Sequence, residues 1–111
     1  TIAFNFSENI GQRLENLVFI ELLRKNYKIY YHFDKNECDF IIKEGLRITK
    51  AIQVTLRLDI KTKNREIEGL KEAMKAYNLD EGLILTFEQE EVINLENKKI
   101  VIKPIWKWLL E

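Results

Sequence analysis

The stretch AIQVTLRL, residues 51–58, sets two polar side chains into an otherwise apolar run. Side chains alternate across a strand, so Ile52, Val54, Leu56 and Leu58 would face one way and Ala51, Gln53, Thr55 and Arg57 the other. In ECDFIIKE, residues 37–44, the same rule puts Glu37, Asp39 and Ile41 on one side and Cys38, Phe40 and Ile42 on the other. If the two strands are neighbours with their apolar sides on one core, Asp39 comes beside Gln53 and Thr55. A carboxylate, an amide and a hydroxyl placed together can offer oxygens to a hard cation. They can equally hydrogen-bond to one another and to water, since leaving them unsatisfied costs about 1–3 kcal/mol each.

These strands need elements to hold them. From Ser7 to about Lys25, Ile10, Leu14, Leu17, Val18 and Leu22 recur at helical spacing, with Ser7 available as an N-cap. On this helix Glu21 falls within the Leu14, Leu17, Val18 stripe and Glu15 lies at its edge beside Leu22. An acid in an apolar stripe is costly without a partner, so Glu21 is expected in a salt bridge or on a capped surface. YKIYYHF (27–33) reads as a strand, DKN as a turn, and residues 37–44 and 47–58 as the next two strands, with Gly45 between them. Thr62 is a plausible cap for a helix to about Asn78, with Ile67, Leu70, Met74 and Tyr77 inward. GLILTF (82–87) reads as a buried strand, EVINL and KIVIKP as a hairpin around ENKK, and PIWKWLL as a closing helical turn. The order αβββαβ with a late hairpin implies one α/β domain over 1–111, a mixed sheet with helices on its faces.

Composition narrows the class. The chain has 111 residues, 46% apolar and 32% charged, which suits a single globular domain. No apolar run approaches the ~20 residues that span a bilayer, and no signal-peptide pattern occurs, so no membrane partner and a cytoplasmic setting are expected. Cys38 is the only cysteine, with no second thiol for a disulfide and no nearby histidine for zinc. The 18 basic and 18 acidic residues cancel, but unevenly along the chain. Residues 43–65 hold seven basic and two acidic residues, and residues 80–96 hold six acidic and no basic ones. Lys50, Arg57, Lys61 and Lys63 are the candidates for phosphate contacts, the alternative being ordinary solvated surface. No GxxxxGK[ST] occurs, so no ATP site is expected in this chain. His32 is expected packed or exposed rather than catalytic, and Trp106 and Trp108 packed in the core.

The order RLENLVFIELL, ECDFII, AIQVTL, REIEGLKEAM, GLILT resembles the nuclease-like domain of unknown function at the C-terminus of many prokaryotic AAA-type ATP-binding proteins. That domain is similar to the restriction-endonuclease-like, or PD-(D/E)xK, fold, and the resemblance runs from about Asn9 to Leu110. It implies a three-layer α/β domain, the C-terminal portion of a longer ATPase, with the N-terminal ATPase domain as partner; the start at Thr1 rather than Met suggests a processed chain or an excised piece of something longer. In active members an acid on the first helix, a strand aspartate and an acid-x-lysine pair surround Mg²⁺, which polarises the scissile phosphate. Carried over, the helix acid is Glu15 and the strand aspartate Asp39, while Gln53 and Thr55 replace the acid and the lysine. Glu15, Asp39 and Gln53 would be the metal ligands, and Glu21, Glu37, Arg65 and Glu66 would shape the cleft. Gln53 brings no charge and Thr55 no ammonium, so the resemblance implies an altered, non-cutting accessory domain. Alternatives are an active Mg²⁺-dependent DNA endonuclease and a protein-interaction module that regulates the ATPase.

Overall fold

The computed structural model describes residues 2–111, with side chains from Glu8 onward. Helix α1 (Ile2–Arg24) leads into strands β1 (Lys28–Phe33), β2 (Glu37–Glu44) and β3 (Arg47–Val54). Helix α2 (Lys63–Ala76) crosses to β4 (Glu81–Thr86), and β5 (Glu91–Asn94), β6 (Lys99–Pro104) and α3 (Ile105–Leu109) follow. The six strands form one sheet in the order β1-β2-β3-β4-β6-β5. The first three pair antiparallel, β3–β4 and β4–β6 parallel, and β5 returns antiparallel to β6. This is a mixed α/β fold with helices on both faces of the sheet, as the order of elements implies. Among the described residues no helix is long and apolar enough to cross a membrane.

Two cores separate across the sheet. Leu70, Ala73 and Met74 of α2 pack on Cys38, Ile41, Ala51, Ile84 and Ile100. On the far side Val18 and Leu22 of α1 and Ile105 and Trp108 of α3 pack on Phe40, Ile42, Ile52, Val54 and Leu85. Both long helices stop the same way. Asn26 and Asn78 adopt positive φ, 63° and 55°. The next amides, Tyr27 and Leu79, reach back five residues to the Leu22 and Met74 carbonyls. This left-handed cap satisfies the last helical carbonyls, with asparagine where glycine is commoner.

Several local expectations are corrected. Helix α1 begins at Ile2, so Ser7 lies within it rather than at its start; the Ser7 side chain is outside the described residues. Thr62 occupies the N-cap position of α2 without a side-chain cap bond. Its hydroxyl is drawn instead to the Arg57 carbonyl and Asp59, and Asp59 Oδ1 accepts the Lys61 and Thr62 amides, so Asp59 holds the turn. Strand β3 ends at Val54, four residues early, and Leu58 therefore joins the α2-side core instead of facing with Ile52 and Val54. Trp108 is buried as expected, but Trp106 is exposed.

Cys38 also changes sides. It lies in the α2-side core with Ile41, not with Phe40 and Ile42. The cause is a bulge: Tyr30 pairs with Ile41 and His32 with Cys38, so β2 spends one residue more than β1 between those rungs. One extra residue reverses the alternation beyond it.

Candidate functional site

That bulge contains Asp39, and it coincides with the place where β2 and β3 part. The β2–β3 ladder ends at Phe40 opposite Ile52, so the next rung would pair Asp39 with Gln53. Side chains replace it. Gln53 Oε1 accepts the Asp39 amide at 2.9 Å, and Asp39 Oδ2 accepts the Val54 amide at 2.8 Å. The other end of Gln53 is committed as well: Nε2 donates to the Glu37 carbonyl at 2.8 Å and to the Glu66 carbonyl of α2 at 3.1 Å. Gln53 is 1% exposed, and its amide joins both strands of the fork to the first turn of the helix.

Gly69 makes the approach of that helix possible. A Cβ there would stand 1.9 Å from the Glu37 carbonyl oxygen and 2.7 Å from Gln53 Nε2, so no larger residue fits without displacing α2. A glycine in mid-helix costs about 1 kcal/mol against alanine, and close backbone approach is a usual reason for one. REIEGLKEAM thus carries a readable signal that sequence reasoning passed over.

Around the fork the structure gathers Glu15, Glu37, Asp39 and Glu66, with Arg65 beside them. Burial raises the Asp39 carboxyl to about 6; the Val54 amide opposes this, Glu15 and Glu37 add to it, and Arg65 pulls it back. Glu66 is raised to about 7, first by burial, then by Asp39, with Arg65 again opposing. The Arg65–Glu66 contact is loose, at 3.8 Å, with the guanidinium turned to solvent. Glu15 sits at the rim and is raised by desolvation. Tyr31, not anticipated from sequence, belongs to the same group: desolvation, then a hydrogen bond with Glu37 and the charges of Glu37, Asp39 and Glu15, push its hydroxyl to about 12. The group holds more negative charge than Arg65 offsets, so protons are retained near neutral pH.

Thr55 lies at the mouth of the fork, its hydroxyl 3.4 Å from the Arg57 carbonyl and its amide bonded to Leu85. Glu21 stands apart from the fork. Both its oxygens take Arg24, at 2.8 and 2.9 Å, and that pairing lowers its carboxyl, the salt bridge that its place in the helix implied. Lys50 is likewise elsewhere, paired with Glu44 and lying over the Tyr27 ring. Arg57 and Lys61 between β3 and α2, and Lys63 at the start of α2, are exposed and have no ion-pair partner among the described residues. The acidic segment is partly neutralised at home, Glu81 by Lys99 and Glu90 by Lys107. Cys38 is buried, and burial lifts its thiol to about 12, which leaves it inert.

Among the described residues no three His, Cys, Asp or Glu side chains stand as a metal-holding group. The oxygen that Gln53 would offer already accepts the Asp39 amide, and one Asp39 oxygen holds Val54.

A second polar cluster lies further along α2. His32 is buried, with Nε2 hydrogen-bonded to Glu72 at 2.8 Å and Nδ1 to the Tyr77 hydroxyl at 3.0 Å. Glu72 also receives the backbone and side-chain nitrogens of Asn36, tying the β1–β2 turn to the helix. His32 is therefore packed, as expected, in a network that sequence reasoning did not foresee.

No family model matches the chain, and no solved structure matches it. The chain is 39% identical to an uncharacterized protein of Methanocaldococcus jannaschii, over 97% of this chain and 26% of that protein. It is 31% identical to an uncharacterized protein of Haemophilus influenzae, over 93% of this chain and 24% of that one. The chain thus spans about a quarter of the length of the curated relatives it matches.

Proposed function

We propose that this chain is a restriction-endonuclease-like accessory domain of a prokaryotic AAA-type ATP-binding protein, its PD-(D/E)xK site rebuilt around Gln53 and no longer cutting. The observation that carries this reading is the state of Gln53. A nuclease of that fold sets a metal-binding acid at this position, whereas here the amide gives its hydrogens to two backbone carbonyls and takes a third backbone group on its oxygen. A carboxylate could not make the two donations and would face both carbonyls with negative charge. The fork needs an amide to hold it, and an amide contributes no charge to a cation. Thr55 leaves the position of the lysine without an ammonium. Glu15 and Asp39 remain as the acidic half of the inherited cleft.

Beside that cleft the exposed Arg57, Lys61 and Lys63 offer phosphate contacts, so the domain holds nucleic acid through its backbone without hydrolysing it. ATP binding and hydrolysis belong to polypeptide outside the segment described, as the extent of both relatives allows.

Calorimetric titration with Mn²⁺ and Mg²⁺ tests the site. Little or no saturable heat at millimolar metal is expected, with the parent and Asp39→Ala alike. Saturable binding abolished by Asp39→Ala would overturn the reading in favour of a live metal-dependent endonuclease.

A further inference from the structure

Over its last two turns helix α1 carries apolar side chains outward as well as toward the sheet, with the Glu21–Arg24 pair among the outward ones, and only the sheet side is covered. Val18 and Leu22 face the sheet and are 0% and 1% exposed, and Phe19 stacks on Phe40 at 6.3 Å. Leu17, Ile20 and Leu23 are 42%, 61% and 50% exposed. With about 100° per residue, Ile20 points nearly opposite to the sheet-facing pair, with Leu17 and Leu23 to either side of it.

We propose that the outward face of α1, formed by Leu17, Ile20 and Leu23, seats a second folded part of the polypeptide that carries this domain. The two relatives match nearly the whole of this chain while extending over about three-quarters of their own length beyond the match. The size of the face also selects the occupant. Three side chains supply far less than the ~1,200 Å² that free association usually buries, whereas a tethered neighbour benefits from a high effective concentration. Arg13 is exposed, lies two turns before Ile20 on the same side, and has no ion-pair partner among the described residues. The seated part therefore presents an apolar ridge with a carboxylate opposite Arg13. Glu15 lies about 140° round the helix from Ile20, so a neighbour seated there leaves the cleft open.

This inference rests on the reading of the chain as one domain of a longer protein, but not on the neighbour being an ATPase. The test uses the full-length Methanocaldococcus jannaschii relative, with the residue aligned to Ile20 replaced by Glu, and this chain carrying Ile20→Glu. In the full-length protein the amides of the α1-matching helix should exchange about tenfold faster in the variant than in the parent. In this chain Ile20→Glu should move Tm by less than about 2 °C, because the side chain already faces water. Unchanged exchange in the full-length variant would overturn the proposal. So would a Tm loss above about 5 °C in this chain, which would place Ile20 in its core. A concentration-dependent dimer of this chain that Ile20→Glu abolishes would overturn it in favour of a second copy. Titration of the full-length relative with ATP separates the two readings: faster exchange without ATP binding keeps the seated face and removes the ATPase.

Discussion

Two acids of α2, Glu66 and Glu72, meet the sheet less than two turns apart, and their surroundings are opposite. Burial would raise Glu72, but hydrogen bonds from His32 and from both nitrogens of Asn36 outweigh it and bring its carboxyl below the ordinary range. Glu66 has no such donors; burial and Asp39 lift it to about 7 against a loosely held Arg65. Around Glu72 every polar group is matched, which is how a fold ties a turn to a helix. Around Glu66 carboxylates outnumber their partners, an arrangement that costs stability rather than adding to it. Gln53 stands between the two cases, a matched structural clamp within the unmatched site.

Removing the clamp should have the largest effect. Gln53→Glu loses two buried donors and sets a carboxylate against two carbonyls, at about 3 kcal/mol, or roughly 10–15 °C in Tm for a domain of this size. Gly69→Ala should cost about as much, since its Cβ meets the Glu37 carbonyl. Thermal unfolding by circular dichroism reads both; a loss under about 1 kcal/mol for Gln53→Glu would show that the fork tolerates an acid.

Next comes the matched cluster. His32→Ala should destabilise by about 2 kcal/mol, because Glu72 and Tyr77 lose their buried partner. Urea melts check the size, and a neutral result would mean that the network contributes nothing to holding α2.

The two acids should then respond to pH with opposite signs. Asp39 and Glu66 hold protons more tightly folded than unfolded, where carboxyls titrate near ~4. Their destabilisation is therefore absent below about pH 4 and grows as pH rises through about 6 and about 7. Glu66→Gln should raise stability by about 1–2 kcal/mol at pH 8 and by nothing at pH 4. Glu72 is lowered, so its contribution is present above ~4 and fades as pH falls through its folded value, and Glu72→Gln should cost stability at pH 8. Melting curves from pH 4 to 8 decide it; parallel curves for the two variants would erase the distinction. Smallest in stability terms is the double charge reversal Lys61→Glu and Lys63→Glu. It should leave Tm nearly unchanged yet weaken binding to single- or double-stranded DNA and flatten its salt dependence, as read by fluorescence anisotropy.

Much of this was legible before any coordinates. Strand alternation and helical spacing give the order of the nine elements found among the described residues, with α1 beginning five residues earlier and β3 ending four residues sooner than that spacing suggests, and pairing the polar faces of residues 37–44 and 51–58 brings Asp39 beside Gln53, as found. What escaped was non-local. The β2 bulge that turns Cys38 to the other core depends on what β1 does opposite it, and the end of β3 depends on the Asp39–Gln53 exchange replacing a rung. Alternation described Ala51 and Gln53 as a polar face, yet α2 covers both, because Gly69 lets its backbone descend onto them. The charge state of Glu66 follows from burial that no spacing rule reports.

The central claim, that the clamp at Gln53 has displaced the nuclease chemistry, is tested most directly by plasmid nicking at millimolar Mg²⁺ or Mn²⁺, with the wild-type chain and Asp39→Ala prepared in parallel. The expected result is the same background conversion of supercoiled DNA in both. Cleavage by the wild type that disappears in Asp39→Ala would contradict the account.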